Sequence, residues 1–337
     1  MASMYANPVI IKPTYHTFRK WFFSPKDEEK FSDKKRKFLK KYTRPTGKNK
    51  YKRYLWSPLR YAWWKSLATW LIVELLPDNL TKIISPFFWW WAFEIACAKE
   101  LWLEVIGYDI FDLLVNYWQY QVHNPVWLYE HLKNFSPSRE WFAEVKNILK
   151  NHWLWKEVID DNLYLASIFY FNHNTSYWPH TLWWPSSVYL QEKRYETMIN
   201  KVKEFEWWNL NVYCDDFMNI MEKHSNDFMY CDPPYFLEWD SKTFVWLYPH
   251  RNFPIHHNWF NHEWLRDYLK KHKWWFILSY NDCSTIREWY KDFDMITPSW
   301  QYTFSQWDTR IWENRLSKNN WSHVKESHEL IIYKLPN

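Results

Sequence analysis

The 337-residue chain predicts an α/β fold, an open sheet interrupted by a long, mainly helical segment. Three observations predict it. Lys82-Ile83-Ile84-Ser85, the loop that follows, a helical stretch and Leu103 to Asp109 have the layout strand, loop, helix, strand, acid, which is the skeleton of nucleotide-type cofactor binding. Phe228 to Cys231 reads as a second short apolar strand, stopped by Asp232-Pro233-Pro234-Tyr235-Phe236, because two prolines cannot continue a ladder. Between these regions, Asn116 to Glu206 lacks a regular alternation of strand and helix.

Taken in order, the chain begins with a basic arm, residues 1–53, whose charge concentrates in Lys34-Lys35-Arg36-Lys37 and Lys48 to Arg53. Such an arm either tracks phosphates or is a solvated tail. Leu67 to Leu76 is amphipathic and closed by Pro77-Asp78-Asn79. After the strand at Lys82, Pro86-Phe87-Phe88-Trp89-Trp90-Trp91 forms the loop, and the next helix runs to about Leu101. In the middle segment, Ser138 to Lys150 and Leu182 to Lys203 are helix-like, with a polar loop, Phe171 to Tyr177, between them. Alternation resumes with Asn211 to Cys214 running into Asp215-Asp216-Phe217, followed by a helix-like stretch. Phe260 to Lys271 reads as an amphipathic helix with Phe260, Trp264, Leu265 and Tyr268 at helical spacing. Trp275 to Asp282 and Glu329 to Tyr333 are further strands.

A net charge of +5 permits a nucleic-acid partner without requiring one. The four cysteines, Cys97, Cys214, Cys231 and Cys283, are far apart, which fits a reducing cytoplasm better than a disulfide framework or a zinc site. No run reaches the roughly 18 apolar residues of a spanning helix, so no membrane partner is expected. His250, His256, His257 and His262 cluster in sequence but lack carboxylate or cysteine at ligand spacing, and no metal is expected there. The abnormal feature is 30 tryptophans against 2 glycines. Ordinary usage gives about 24 glycines in a chain of this length. The sum of the two types is close to normal, and only the partition is not.

The motifs resemble, in order, the hallmark segments of the Dam-like family of adenine-specific DNA methyltransferases. Asp232-Pro233-Pro234-Tyr235 matches the family's catalytic tetrapeptide, although alone it is equally a stiff surface turn. Tyr61-Ala62-Trp63-Trp64-Lys65-Ser66 and Pro86-Phe87-Phe88-Trp89-Trp90-Trp91-Ala92-Phe93 match two further segments once glycine replaces tryptophan. A UGA codon read as glycine by the native organism, but rendered as tryptophan, produces this pattern. Read literally, three indoles fill the cofactor loop. The resemblance implies a Rossmann-like S-adenosylmethionine-dependent methyltransferase fold with an inserted recognition domain. It divides the chain into the basic arm, a cofactor-binding part at 54–116, a target-recognition segment at 117–207 and a catalytic part at 208–337.

The resemblance implies these site residues: Asp232 and the Pro233 carbonyl accept hydrogens from the exocyclic amine of adenine, within Asp232-Pro233-Pro234-Tyr235, and Tyr235 stacks on the base. The base must be flipped out of double-stranded DNA to be reached. S-adenosyl-L-methionine is the implied cofactor, contacted by Tyr61, Lys65, Pro86, Phe87, Asp109, Asp216 and Phe217. Asp109 would accept from ribose hydroxyls and Asp216 from the cofactor's adenine amine. Asn172, His173, Asn174 and Thr175 carry side chains suited to base edges or phosphates, in the segment where the family places target recognition. A companion restriction endonuclease is left open. Ser85 departs from the family, which usually has an acid before Pro-Phe. Two rivals remain at this level: a non-catalytic nucleic-acid-binding protein whose tryptophans are real, and an amino-methyltransferase acting on RNA or a protein amide.

Overall fold

Successive residues of the central strands feed two different hydrophobic cores, as period-two side chains must in a sheet covered on both faces. Ile83, Val105, Tyr230, Ile277 and Ile331 enter one core, and Ile84, Tyr108, Met229, Leu278 and Ile332 enter the other. The computed structural model describes residues 30–44, 51–60, 65–89, 91–178, 181–205, 209–236, 260–298 and 329–336. Its strands are Lys82–Ser85 (β1), Glu104–Asp109 (β2), Leu210–Cys214 (β3), Met229–Cys231 (β4), Phe276–Asn281 (β5), Asp294–Ile296 (β6) and Glu329–Lys334 (β7). They form one sheet in the order β3-β2-β1-β4-β5-β7-β6. The first five are parallel, and β7 runs antiparallel between β5 and β6.

The strands expected from the sequence are present within a residue or two, and β6 is an addition that the sequence did not announce. Gly107 in β2 has a packing reason: a Cβ there would run into the Phe88 ring. Phe88 is tied to the same strand by its N–H, which donates to the Tyr108 carbonyl at 2.7 Å.

Eleven helices are present among the described residues. Helix α1 (Phe31–Tyr42) lies inside the basic arm, and α2 (Lys65–Leu75) and α3 (Ala92–Glu100) flank β1. The interrupting segment holds α4 (Asp112–His123), α5 (Pro125–Leu132), α6 (Arg139–Trp153), α7 (Asn162–Thr175) and α8 (Glu192–Glu204). Helices α9 (Phe217–Lys223), α10 (His262–Lys271) and α11 (Ser284–Trp289) belong to the C-terminal half.

Three expectations need correction. The polar stretch from Phe171 is not a loop: α7 continues through Thr175, because its side chains find buried partners and the helix is closed only at Ser176. The basic arm is not wholly a tail. In α1, Phe38 is buried against Trp70, with ring centroids 4.8 Å apart, while Lys35 Nζ donates to the Leu76 carbonyl at 2.5 Å and pairs with Asp78 at 3.1 Å. The helix-like stretch from Leu182 is shorter than expected, since α8 begins only at Glu192. The expected domain boundary at 116/117 falls inside α4, which packs on β2, β3 and α7.

Candidate active site

The parallel strands end on one edge, and the motif residues end with them. Ser85 closes β1, Asp109 closes β2, Asp216 lies two residues past β3, Asp232 directly follows β4, and Asn281 closes β5. Glu329 begins the antiparallel β7 opposite Asn281 and so reaches the same edge. β1 is flanked by β2 on one side and β4 on the other, so the chain reverses its direction of growth between them. That reversal opens the crevice in which open α/β sheets bind ligands.

Asp109 is buried, with Oδ1 accepting the Phe111 N–H at 2.8 Å. Burial pushes its carboxyl up to about 7, against the opposing effect of backbone N–H groups of Phe111 and Ile110. Asp216 caps α9, accepting the Met218 N–H at 2.8 Å, and remains half-buried at the strand end. Phe87 and Phe217, predicted from separate motifs, meet with centroids 5.3 Å apart, and both touch Phe260, at 5.5 and 4.7 Å. Pro86 is buried beside Phe87. Lys65 is the first residue of α2, with its side chain outside the described residues, as is all of Tyr61.

Asp232 is 4% exposed and Pro233 is buried. Pro234 is half-buried, and Tyr235 is 5% exposed with its hydroxyl donating to Glu329. The loop is fixed from β5: the Phe236 N–H donates to Asn281 Oδ1 at 2.9 Å, and Asn281 Nδ2 donates to the Phe236 carbonyl at 2.8 Å. The Ser85 hydroxyl donates to Glu94 Oε1 at 2.7 Å, and both residues are buried. A carboxylate therefore stands at the Ser85 position after all, supplied from the first turn of α3. Burial, then the charges of Asp232, Glu94, Glu329 and Cys231, push the Tyr230 phenol well up.

The four residues expected at nucleic acid lie elsewhere. Asn172, His173, Asn174 and Thr175 are buried in α7. Asn174 Oδ1 accepts the Arg60 N–H at 2.8 Å and Nδ2 donates to the Pro58 carbonyl at 3.1 Å. His173 Nε2 donates to the Arg60 carbonyl at 3.0 Å, Asn172 Oδ1 accepts the Leu182 N–H, and the Thr175 hydroxyl donates to the Phe171 carbonyl. Asn174 and His173 thus hold the backbone of Pro58 and Arg60. Arg60 completes the bracket: its guanidinium donates to the Asn174 and Ser176 carbonyls and lies 3.3 Å over the Tyr189 ring. Of the four clustered histidines, His262 is engaged with the Tyr280 hydroxyl, and His250, His256 and His257 lie outside the described residues.

Glu94, Glu329 and Arg60 carried no sequence signal, because each acts through a partner nine to more than ninety residues away. Asn281 had a weak one, as the polar end of a predicted strand.

The carboxylates suit a ligand that combines a ribose with a cationic tail. The loop after β1 does not. Trp89 stacks on Phe111, centroids 5.7 Å apart, two residues past Asp109, and Trp91 is wholly buried at the N-cap of α3. As written, the loop after β1 carries bulky indoles where close approach of backbone to a ligand requires small residues.

Strand order, antiparallel β7 and the acids along one edge define a Rossmann-like protein of the methyltransferase class. The chain belongs to the D12 class N6 adenine-specific DNA methyltransferase family, whose model matches residues 61–304. It is thus an adenine-specific DNA methyltransferase, acting on DNA at the adenine N6 amine. No individual curated protein matches it.

Proposed function

We propose that S-adenosyl-L-methionine is the methyl donor and that the crevice between Asp109 and Asp232 is where transfer occurs. The observation that carries this reading is the convergence of Ser85, Asp109, Asp216 and Asp232 on one edge at the β1/β4 reversal. When bound, the cofactor supplies a methyl group on a sulfonium, an already activated leaving group, so that positioning and electrostatics suffice. Asp232 and the Pro233 carbonyl accept the two hydrogens of the adenine amine and draw its lone pair out of conjugation toward an attacking geometry. Tyr235 stacks on the flipped base, with Glu329 holding its hydroxyl and Asn281 holding the loop behind it. Asp109 would accept from the ribose, Asp216 from the cofactor's adenine amine, and Phe87 and Phe217 would lie near the ring. Glu94, carried by Ser85, takes the place of the family's acid before Pro-Phe. Residues 124–205 form the helical part that carries target recognition.

One observation favours a second reading, a DNA-binding protein without turnover: the Trp89 indole against Phe111. The experiment that separates them measures methyl incorporation into unmethylated duplex DNA and into RNA, using protein made with glycine at 63, 64 and 89 to 91. Adenine N6 methylation of DNA is expected. In the same protein Asp232→Ala lowers methylation by at least about a thousandfold while cofactor binding persists. Full activity of that variant sinks the role given to Asp232.

A further inference from the structure

The motifs raise the question of glycine at positions 63, 64 and 89 to 91 only, but the backbone supports it independently at 91 and extends it to helix ends at 102 and 155 that no motif covers. We infer that Trp91, Trp102 and Trp155 are glycine in the native protein, and that the chain as written substitutes tryptophan at a recurrent glycine codon. Four described residues other than glycine have a positive φ: Trp91 at 20°, Trp102 at 63°, Trp155 at 56° and Leu182 at 60°. Three of the four are tryptophan. Left-handed backbone crowds any Cβ against the neighbouring carbonyl, and the side chains that tolerate it best are Asn and Asp, not a bulky indole.

The surroundings of Trp155 identify the residue type. Helix α6 ends at Trp153, Leu154 is its C-cap, and Trp155 follows. Its N–H donates to the His152 carbonyl at 3.0 Å, and the Lys156 N–H donates to the Asn151 carbonyl at 2.9 Å. This is the paired closure in which the residue after the C-cap is left-handed and usually glycine. The indole gains nothing there, being 74% exposed. Trp102 stands in the corresponding place after α3: Leu101 is the C-cap, and the Leu103 N–H folds back to the Cys97 carbonyl at 3.1 Å. Trp91 is the N-cap of α3 without a side-chain cap, a position that glycine fills and tryptophan does not.

Exposure points the same way. Among the described residues, six tryptophans, including Trp127, Trp184 and Trp274, are between 41% and 74% exposed, whereas tryptophan is on average one of the most buried residues. Not every tryptophan behaves so. Trp118 is buried mid-helix against Phe88 and Phe205, where glycine would weaken α4, and it is native as written. With glycine at 89 to 91, the backbone of this loop can approach a ligand closely.

The test is peptide mass spectrometry of the protein purified from its native host. Peptides covering 91, 102 and 155 are expected to be lighter by about 130 Da per position, since glycine carries no side chain, while the Trp118 peptide keeps its written mass. Tryptophan at 91, 102 and 155 overturns the inference. A second measurement compares the chain as written with a version carrying Trp→Gly at 63, 64, 89, 90, 91, 102 and 155. Equilibrium binding of S-adenosylmethionine is expected to be at least about tenfold tighter in the glycine version; equal affinity with equal thermal stability overturns it. The masses are independent of any methylation, so failure here and failure of the catalytic reading are distinguishable.

Discussion

Asp109 shows how one residue can be placed against its own ionisation. It closes β2 at the crevice edge, yet burial raises its folded-state pKa from 3.8 to about 7. The stability it contributes is therefore fully present below about pH 4 and is lost as pH rises toward 7. Asp109→Asn cannot ionise, so the melting temperature of the variant should overtake that of the parent as pH rises through this window. Each tenfold gain in proton affinity on folding is worth on the order of 1.4 kcal/mol. A difference that is flat between pH 4 and pH 8 would show that burial does not perturb Asp109. The same variant should bind cofactor more weakly, because an amide both donates and accepts where two acceptors are wanted. Glu94 supports a second prediction at this scale. Its hydrogen bond from Ser85 places a carboxylate where the usual acid is missing. Glu94→Gln should weaken binding of S-adenosylmethionine about tenfold and leave binding of methylthioadenosine, which lacks the amino acid tail, nearly unchanged. Equal losses for both ligands would refute a role toward the tail.

At the scale of elements, helix ends show most clearly where residue type and backbone disagree. The closure after α6 is complete in its hydrogen bonds and wrong in its side chain. Replacing Trp155 by glycine in the chain as written should raise stability by about 1 kcal/mol, the cost of holding a Cβ in left-handed backbone. Trp118→Gly should do the opposite, because it removes buried aromatic packing and puts glycine inside a helix. Thermal melts of the two variants should move in opposite directions, and a fall in both would mean that the indole at 155 contributes packing the structure does not reveal. The five parallel strands were legible from sequence because each is a short apolar run stopped by a polar residue or proline at the crevice edge. The helical segment was less so. Asn172 to Thr175 read as a polar loop because the partners that bury them include the backbone of Pro58 and Arg60, more than a hundred residues earlier in the chain.

For the whole molecule, Arg60 joins the end of α7 to the segment that precedes α2. Partial burial of its guanidinium lowers its pKa to about 10 while leaving it charged at neutral pH. Arg60→Ala leaves the Asn174 and Ser176 carbonyls without this donor and should cost about 2–4 kcal/mol. It should also loosen the cofactor segment, so affinity for S-adenosylmethionine falls together with stability. Unchanged chemical denaturation would show that the bracket is dispensable. Among the described residues no helix is long and apolar enough to cross a membrane.

The sequence by itself determined the strands, their terminal acids, the Asp-Pro-Pro-Tyr corner and the family, because these are local patterns of hydrophobicity and short motifs whose residues act where they stand. It also showed the imbalance of glycine and tryptophan, which is composition alone. Only the tertiary structure decided that Glu94 lies beside Ser85, that Glu329 and Asn281 hold the Asp-Pro-Pro-Tyr corner, and that the polar end of α7 is a buried bracket. Each of those depends on which distant backbone a side chain meets. The structure also decided where the imbalance is physically costly, since a left-handed φ at a helix end is set by hydrogen bonds of the chain and not by the residue named there.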